Sequence, residues 1–309
     1  MDALFSDEQR LFQRTVRAYL EKECAPSQIR AAGGAWSWER WKGLADLGVV
    51  GLTAPEANGG LGKDETDLVL ILEEAGRAAL PEPLAETAGV VVPALIDVGF
   101  PEMSAEWLDA IAAGEGIATI DRRERMTLES RNGDKTAMAM AGASIAGVDI
   151  ATSDRAAFAT AAVLSGIADR VIDMAATYAK ERQQFGKAIG SFQAVKHLLA
   201  DALLGLEFAR PAVYRAAWSL AKRSFDVQRD VSMAKALASD AAFNACRSAL
   251  QVHGAIGYTH EHDLHLWLTK GFALCNQWGT AAWHRERVAA VLSDRSPNRT
   301  LRVSFRRSE

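Results

Sequence analysis

The residues best placed to do chemistry lie in one stretch, Lys180-Glu181-Arg182-Gln183-Gln184-Phe185-Gly186-Lys187-Ala188-Ile189-Gly190-Ser191-Phe192-Gln193. It offers a cation at Arg182, an aromatic ring at Phe185, a glycine turn, and a side-chain amide, Gln193, opening the next helix. A guanidinium pairs with a diphosphate, a phenyl ring packs on an aromatic ring, and an amide at a helix N-terminus completes a dinucleotide site. The same residues also read as an inter-helix turn with a solvated charge run. Four histidines, His253, His260, His262 and His265, invite a metal reading, and His262 and His265 can share a helix face. No cysteine or organised carboxylate set completes such a site, so they read as surface or core histidines. Gly59-Gly60 and Gly62 lack a following Lys-Ser/Thr and a clear preceding strand, and read as a structural turn.

The elements that must position these groups are mostly helical. Leu11, Phe12, Val16 and Tyr19-Leu20 fall at helical spacing over residues 6–24, with Ser6 and Glu8-Gln9 placed to cap the first turn. Trp36–Leu47 and Asp64–Ala79 read as further helices, Pro81 and Pro83 interrupt, and Glu86–Val98 resumes. From Gly116 to Asp149 the pattern changes to short alternating pieces, Ile117–Ile120, Met126–Leu128 and Ala137–Met140, which read as strands. Beyond it, helices are expected from an N-cap at Ser153 to Lys180, then over Phe192–Arg223, Asp226–Val252, Asp263–Asn276 and Thr280–Leu292. Long helices joined by short turns predict an antiparallel four-helix-type bundle, with a kink at Pro211. The fold class is mainly α, in three regions: a helical domain over 1–115, a β region over 116–152 and a helical bundle over 153–309.

A chain of 309 residues, 49% hydrophobic, buries a substantial core. The net charge of −4 disfavours nucleic acid as the main partner. No apolar run is long enough for a membrane span, and the N-terminus lacks a signal-peptide layout. Three dispersed cysteines, Cys24, Cys246 and Cys275, read as reduced thiols in a cytoplasmic protein.

The spacing R-x-x-F-G-x-x-I-G-x-F-Q from Arg182 to Gln193 closely resembles the flavin-contacting turn of the acyl-CoA dehydrogenase family. Gln251-Val252-His253-Gly254-Ala255-Ile256-Gly257-Tyr258-Thr259 is similar to that family's Q-x-x-G-G-x-G-(F/Y)-T segment, with Ala255 in place of the second glycine. Pro55–Gly62 and Glu73-Glu74-Ala75-Gly76-Arg77 resemble its N-terminal helical domain. The resemblance implies FAD as cofactor, bound by Arg182, Phe185, Gln193, Gln251, Gly254 and Ala255 across a subunit boundary. It also implies that the middle β region is truncated by several dozen residues. Thr280 matches a residue that touches the subunit's own flavin.

Such enzymes take an α-proton of an acyl-CoA thioester onto a Glu while the β-hydrogen leaves as hydride. Counting from the matched motifs, the two positions that the family uses for this base hold Trp278 and Ala156, so no catalytic residue is expected in this chain. Asp154 is the nearest substitute, and a helix N-terminal charge is the plainer reading of it. The combination resembles the short subunits of heteromeric acyl-CoA dehydrogenases of actinobacterial steroid side-chain breakdown. That resemblance implies a full-length homologue as partner, with the acyl-CoA mainly on it, in a two-plus-two heterotetramer. A self-sufficient homomer with an unrecognised base, or a flavin-free scaffold, are the alternatives.

Overall fold

The computed structural model describes residues 5–98, 101–120, 126–131 and 150–293. Ser6 opens helix α1 (Asp7–Glu23) with a capping box: its hydroxyl accepts from the Gln9 N–H, and the Gln9 side chain accepts from the Ser6 N–H. Helix α2 (Pro26–Ala31) follows, with proline at its first position; six residues are too few to show an apolar period, and the sequence reading has no counterpart for it. Ser37 caps α3 (Trp38–Asp46), and the apolar run Val49, Val50, Leu52 beyond it is a buried turn. Asp64 caps α4 (Glu65–Arg77). Past Pro81 and Pro83, α5 (Leu84–Glu86) continues through a π-helical stretch, Thr87–Val91, into α6 (Val92–Val98). Helix α7 (Pro101–Ala112) is also additional to the reading from sequence.

Strands β1 (Gly116–Ile120) and β2 (Met126–Ser130) pair antiparallel, with Gly116 opposite Ser130 and Ile120 opposite Met126. They match two of the expected pieces, and the third, Ala137–Met140, lies outside the described residues. Helix α8 (Ile150–Glu181) is already formed at Ser153, which therefore sits inside the helix instead of capping it. A small hairpin, β3 (Gln183–Gln184) and β4 (Lys187–Ala188), leads to α9 (Gln193–Ala221), which runs unbroken through an exposed Pro211. Then come α10 (Val227–His253), α11 (Leu264–Asn276) and α12 (Ala281–Ser293).

Helices α8 and α10 are the bundle's centre, and α4 of the first half lies directly on α8. That crossing is made close by two glycines. A methyl group on Gly166 would lie 1.9 Å from the Glu73 carbonyl oxygen, and one on Gly76 would lie 2.1 Å from the Val163 carbonyl oxygen. One apolar core consequently runs from Val16 on α1 through Phe158 on α8 to Trp267 on α11. The cysteines are buried and unpaired. Among the described residues, no helix is long and apolar enough to cross a membrane.

Candidate functional site

The C-terminal ends of α8 and α10 meet at one end of the bundle. Tyr178, one turn before Arg182, stacks on His253, two residues after Gln251, with ring centroids 4.5 Å apart and planes at 22°. Because α9 runs antiparallel to both, Gln193 opens at this same end. The structure thus gathers the two motifs, far apart in sequence, onto one surface.

Arg182 ends α8's run, and its guanidinium is exposed with no side-chain partner among the described residues. The hairpin after it turns at Phe185 and Gly186, both at positive φ (+54° and +77°), as a two-residue loop between right-twisted strands requires. Positive φ is costly for a bulky side chain. The Phe185 ring is nevertheless 90% exposed, touching only the edge of Phe192 at 6.1 Å between centroids. The chain's own core therefore gains little from a ring held at such expense. Gln193 and Gln251 are exposed too, and no hydrogen bond of this chain engages their amides among the described residues. Gly254 ends α10 at φ +64°, ψ −138°, a conformation open to glycine, and a Cβ there would meet nothing within 4 Å. Ala255 is exposed beside it. A groove of ≈ 450 Å3 between α9 and α10 ends on Gln251 and Tyr258, with Asp201, Asn244 and Arg247 along it. Cation, ring, amides and bare backbone are the donor set that a dinucleotide needs, so the residues fit one.

The histidines are accounted for within the fold. His253 is 4% exposed, its Nδ1 lies 2.7 Å from the Ala249 carbonyl oxygen, and burial lowers its pKa. His262 packs edge-on to it, and His260 on His265. Among the described residues no group of His, Cys, Asp and Glu has the arrangement to hold a metal.

The two positions that the resemblance assigns to a base, Ala156 on α8 and Trp278 after α11, line a single cavity. Its volume is ≈ 40 Å3, room for about three waters. Trp278 packs against the core from φ +55°. Its turn is fastened from below. Lys235, fully buried on α10, donates to Ser239 Oγ (2.9 Å) and to the carbonyl oxygens of Cys275 (3.1 Å) and Gly279 (3.2 Å). Burial pulls its ammonium down to about 8. His284 lies with Nε2 2.9 Å from the Trp278 carbonyl oxygen, and burial depresses it to about 3. Thr280 caps α12, its hydroxyl accepting from the Trp283 N–H at 3.2 Å. The cavity's charged lining, Glu82, Glu86 and Lys270, was not legible from the sequence. There Lys270 donates to the Leu80 carbonyl, and Glu82 accepts from Arg40 Nε and the Ser37 N–H, each at 2.8 Å.

Asp154 is turned away from that cavity. It is 1% exposed and engages Arg287 of α12, itself 8% exposed, through both carboxylate oxygens; Arg287 also reaches Ser232 Oγ at 3.3 Å. A carboxylate so held ties α8 to α12.

Comparison with known proteins decides the family. "Acyl-CoA dehydrogenase IpdE2" of Mycolicibacterium smegmatis (strain ATCC 700084 / mc(2)155) is 31% identical over 298 residues, covering 86% of this chain and 92% of that one. The chain belongs to the acyl-CoA dehydrogenase family. The family's models agree: "Acyl-CoA dehydrogenase, N-terminal domain" matches residues 6–115, and "Acyl-CoA dehydrogenase, C-terminal domain" matches 147–293. Members are oxidoreductases that act on a CH–CH bond with FAD. Among solved structures, the ChsE4-ChsE5 complex from Mycobacterium tuberculosis matches with a TM-score of 0.82 at 21% identity, covering 96% of this chain and 100% of that one. The Tcur3481-Tcur3483 steroid ACAD matches with a TM-score of 0.77 at 21% identity, covering 93% and 98%. These two likenesses establish the acyl-CoA dehydrogenase fold.

Proposed function

We propose that this chain is the base-free subunit of a heteromeric, FAD-dependent acyl-CoA dehydrogenase, completing the flavin site of a full-length homologue that carries the catalytic Glu and the acyl-CoA. The observation that carries this reading is a contrast within one molecule. Ala156 and Trp278 share a cavity of ≈ 40 Å3, too small for an acyl chain, while Arg182, Phe185, Gln193 and Gln251 stand in solvent without use to their own fold. In this reading Arg182 pairs with the flavin's diphosphate, Phe185 packs on its ring system, and Gln193 bonds to a polar edge. Gln251, Gly254 and Ala255 let backbone and amide approach the diphosphate closely. FAD, when bound, accepts the hydride; this chain's part is to hold and orient it.

The names of the structural neighbours support the assembly, since ChsE4-ChsE5 is a complex of unlike chains and Tcur3481-Tcur3483 is called a steroid ACAD. By that analogy the complex is a two-plus-two heterotetramer acting on a steroid-derived acyl group in the cytoplasm, where the buried thiols stay reduced. Asp154 speaks against a self-sufficient homomer, because its carboxylate is consumed by Arg287.

The test is co-expression with a full-length homologue, reading flavin absorbance and mass. A yellow mixed tetramer is expected, and a yellow homomer that oxidises an acyl-CoA unaided would overturn the proposal. In the mixed complex Arg182→Ala should weaken FAD binding roughly tenfold or more while helical circular dichroism is unchanged. Unaltered flavin occupancy would remove Arg182 from the site.

A further inference from the structure

A second pocket, open to solvent and lined by α1, α2, α4, α8 and α11, has a volume of ≈ 200 Å3, five times that of the ≈ 40 Å3 space at Trp278. Three arginines reach it, and two are committed. Arg17 forms a fork on Glu74, Nε at 2.8 Å and Nη2 at 2.7 Å, and Gln13 completes that carboxylate at 2.7 Å. Arg77 pairs with Asp169 and, at 3.0 Å, with Asp173. The third, Arg170, is half-buried, and among the described residues no carboxylate or carbonyl oxygen accepts from it. Its guanidinium lies 5.5 Å from the ring centroid of Trp267. That ring is fixed in turn, its Nε1 donating to the Arg77 carbonyl at 3.0 Å.

A planar cation over an indole, lining an open pocket and without an acceptor of its own among the described residues, suits a planar or tetrahedral oxyanion. Burial and the neighbouring Arg77 both press on Arg170's charge, which an incoming anion would relieve. The competing acids are weak rivals. Glu74 is saturated by Arg17 and Gln13, Asp173 faces Arg77, Asp263 pairs with Arg30 at 2.8 Å, and Glu21 is exposed at the rim. The family's flavin and acyl chemistry uses none of these side chains in the reading above.

We propose that this pocket is a binding site for a small oxyanion, a phosphate or a carboxylate, seated on Arg170 above Trp267. The test is isothermal titration of the full chain, in the assembly in which it purifies, with inorganic phosphate and separately with acetate, against sodium chloride of matched ionic strength. Saturable binding of at least one probe beyond chloride is expected; phosphate alone assigns a phosphate site, acetate alone a carboxylate site. Arg170→Gln should weaken that binding roughly tenfold, since it removes a charge-assisted fork. Glu21→Gln, on the exposed rim, should tighten it about twofold by removing a repulsive charge. Heats indistinguishable from chloride, or equal affinity in wild type and Arg170→Gln, overturn the proposal. If Arg170→Gln fails to fold, unchanged affinity in Glu21→Gln overturns it.

Discussion

Replacing Asp154 by Asn tests whether this carboxylate is a structural tie or a base. The substitution is nearly isosteric, so it leaves packing intact and removes only charge. The Arg287 guanidinium then stays buried, 8% exposed, facing a neutral amide where a carboxylate had engaged it through both oxygens. Breaking one side of a buried pair costs about 3–5 kcal/mol, because the other charge is left without compensation. For a chain of this length that is a drop of roughly 5–8 °C in unfolding midpoint. Replacing both partners, Asp154→Leu with Arg287→Met, should recover most of the loss, since two apolar side chains leave no stranded charge. Thermal unfolding followed by circular dichroism reads all three proteins. If Asp154→Asn keeps its midpoint and instead abolishes flavin reduction by an acyl-CoA, the argument from geometry is wrong and Asp154 is the base.

Two further outcomes are expected. Burial pushes the Glu73 carboxyl up to about 7, against the pull of Arg210 and Tyr214, so the folded chain holds a proton that the unfolded chain has released above the ordinary carboxylate range. Stability should therefore fall as pH rises from about 4.5 to about 7, by about 3 kcal/mol in all, and Glu73→Gln should flatten that slope; a wild-type urea midpoint unchanged across the window would contradict the assignment. Trp278→Glu puts a carboxylate at a position that the resemblance assigns to the base, yet the chain expressed alone should show no turnover, because the acyl site is proposed to come from the partner; measurable oxidation of any acyl-CoA would show that the site needed only its base.

Much of the helical frame was legible because its apolar period is long and its caps are explicit. Ser6 with Gln9, and Asp64, stand where the helices start, and the expected bounds of α9 to α12 fall within two residues of the observed ones. Helix α2 escaped because six residues carry no periodicity, and Ser153 misled because a capping side chain inside a helix looks the same in sequence as one at its start. At the site, local motifs were readable and distant pairings were not. Arg182, Phe185 and Gln193 occupy one run, whereas Asp154 and Arg287 meet across 133 residues that no spacing rule connects. Lys235 did leave a trace, as the one cation on the apolar face formed by Val231, Ala234 and Ala238. Such a lysine must find acceptors, and it finds them beneath the Trp278 turn.

The glycine crossing of α4 and α8 also bears on how such a chain can exist. Where Gly76 and Gly166 let two backbones touch, the front and back halves are welded directly to each other. The contacts of that weld, Gly76 against Val163 and Gly166 against Glu73, lie wholly within α4 and α8. The joint between the halves therefore rests on two helix backbones in direct contact, and a side chain larger than glycine at either position would prise it open.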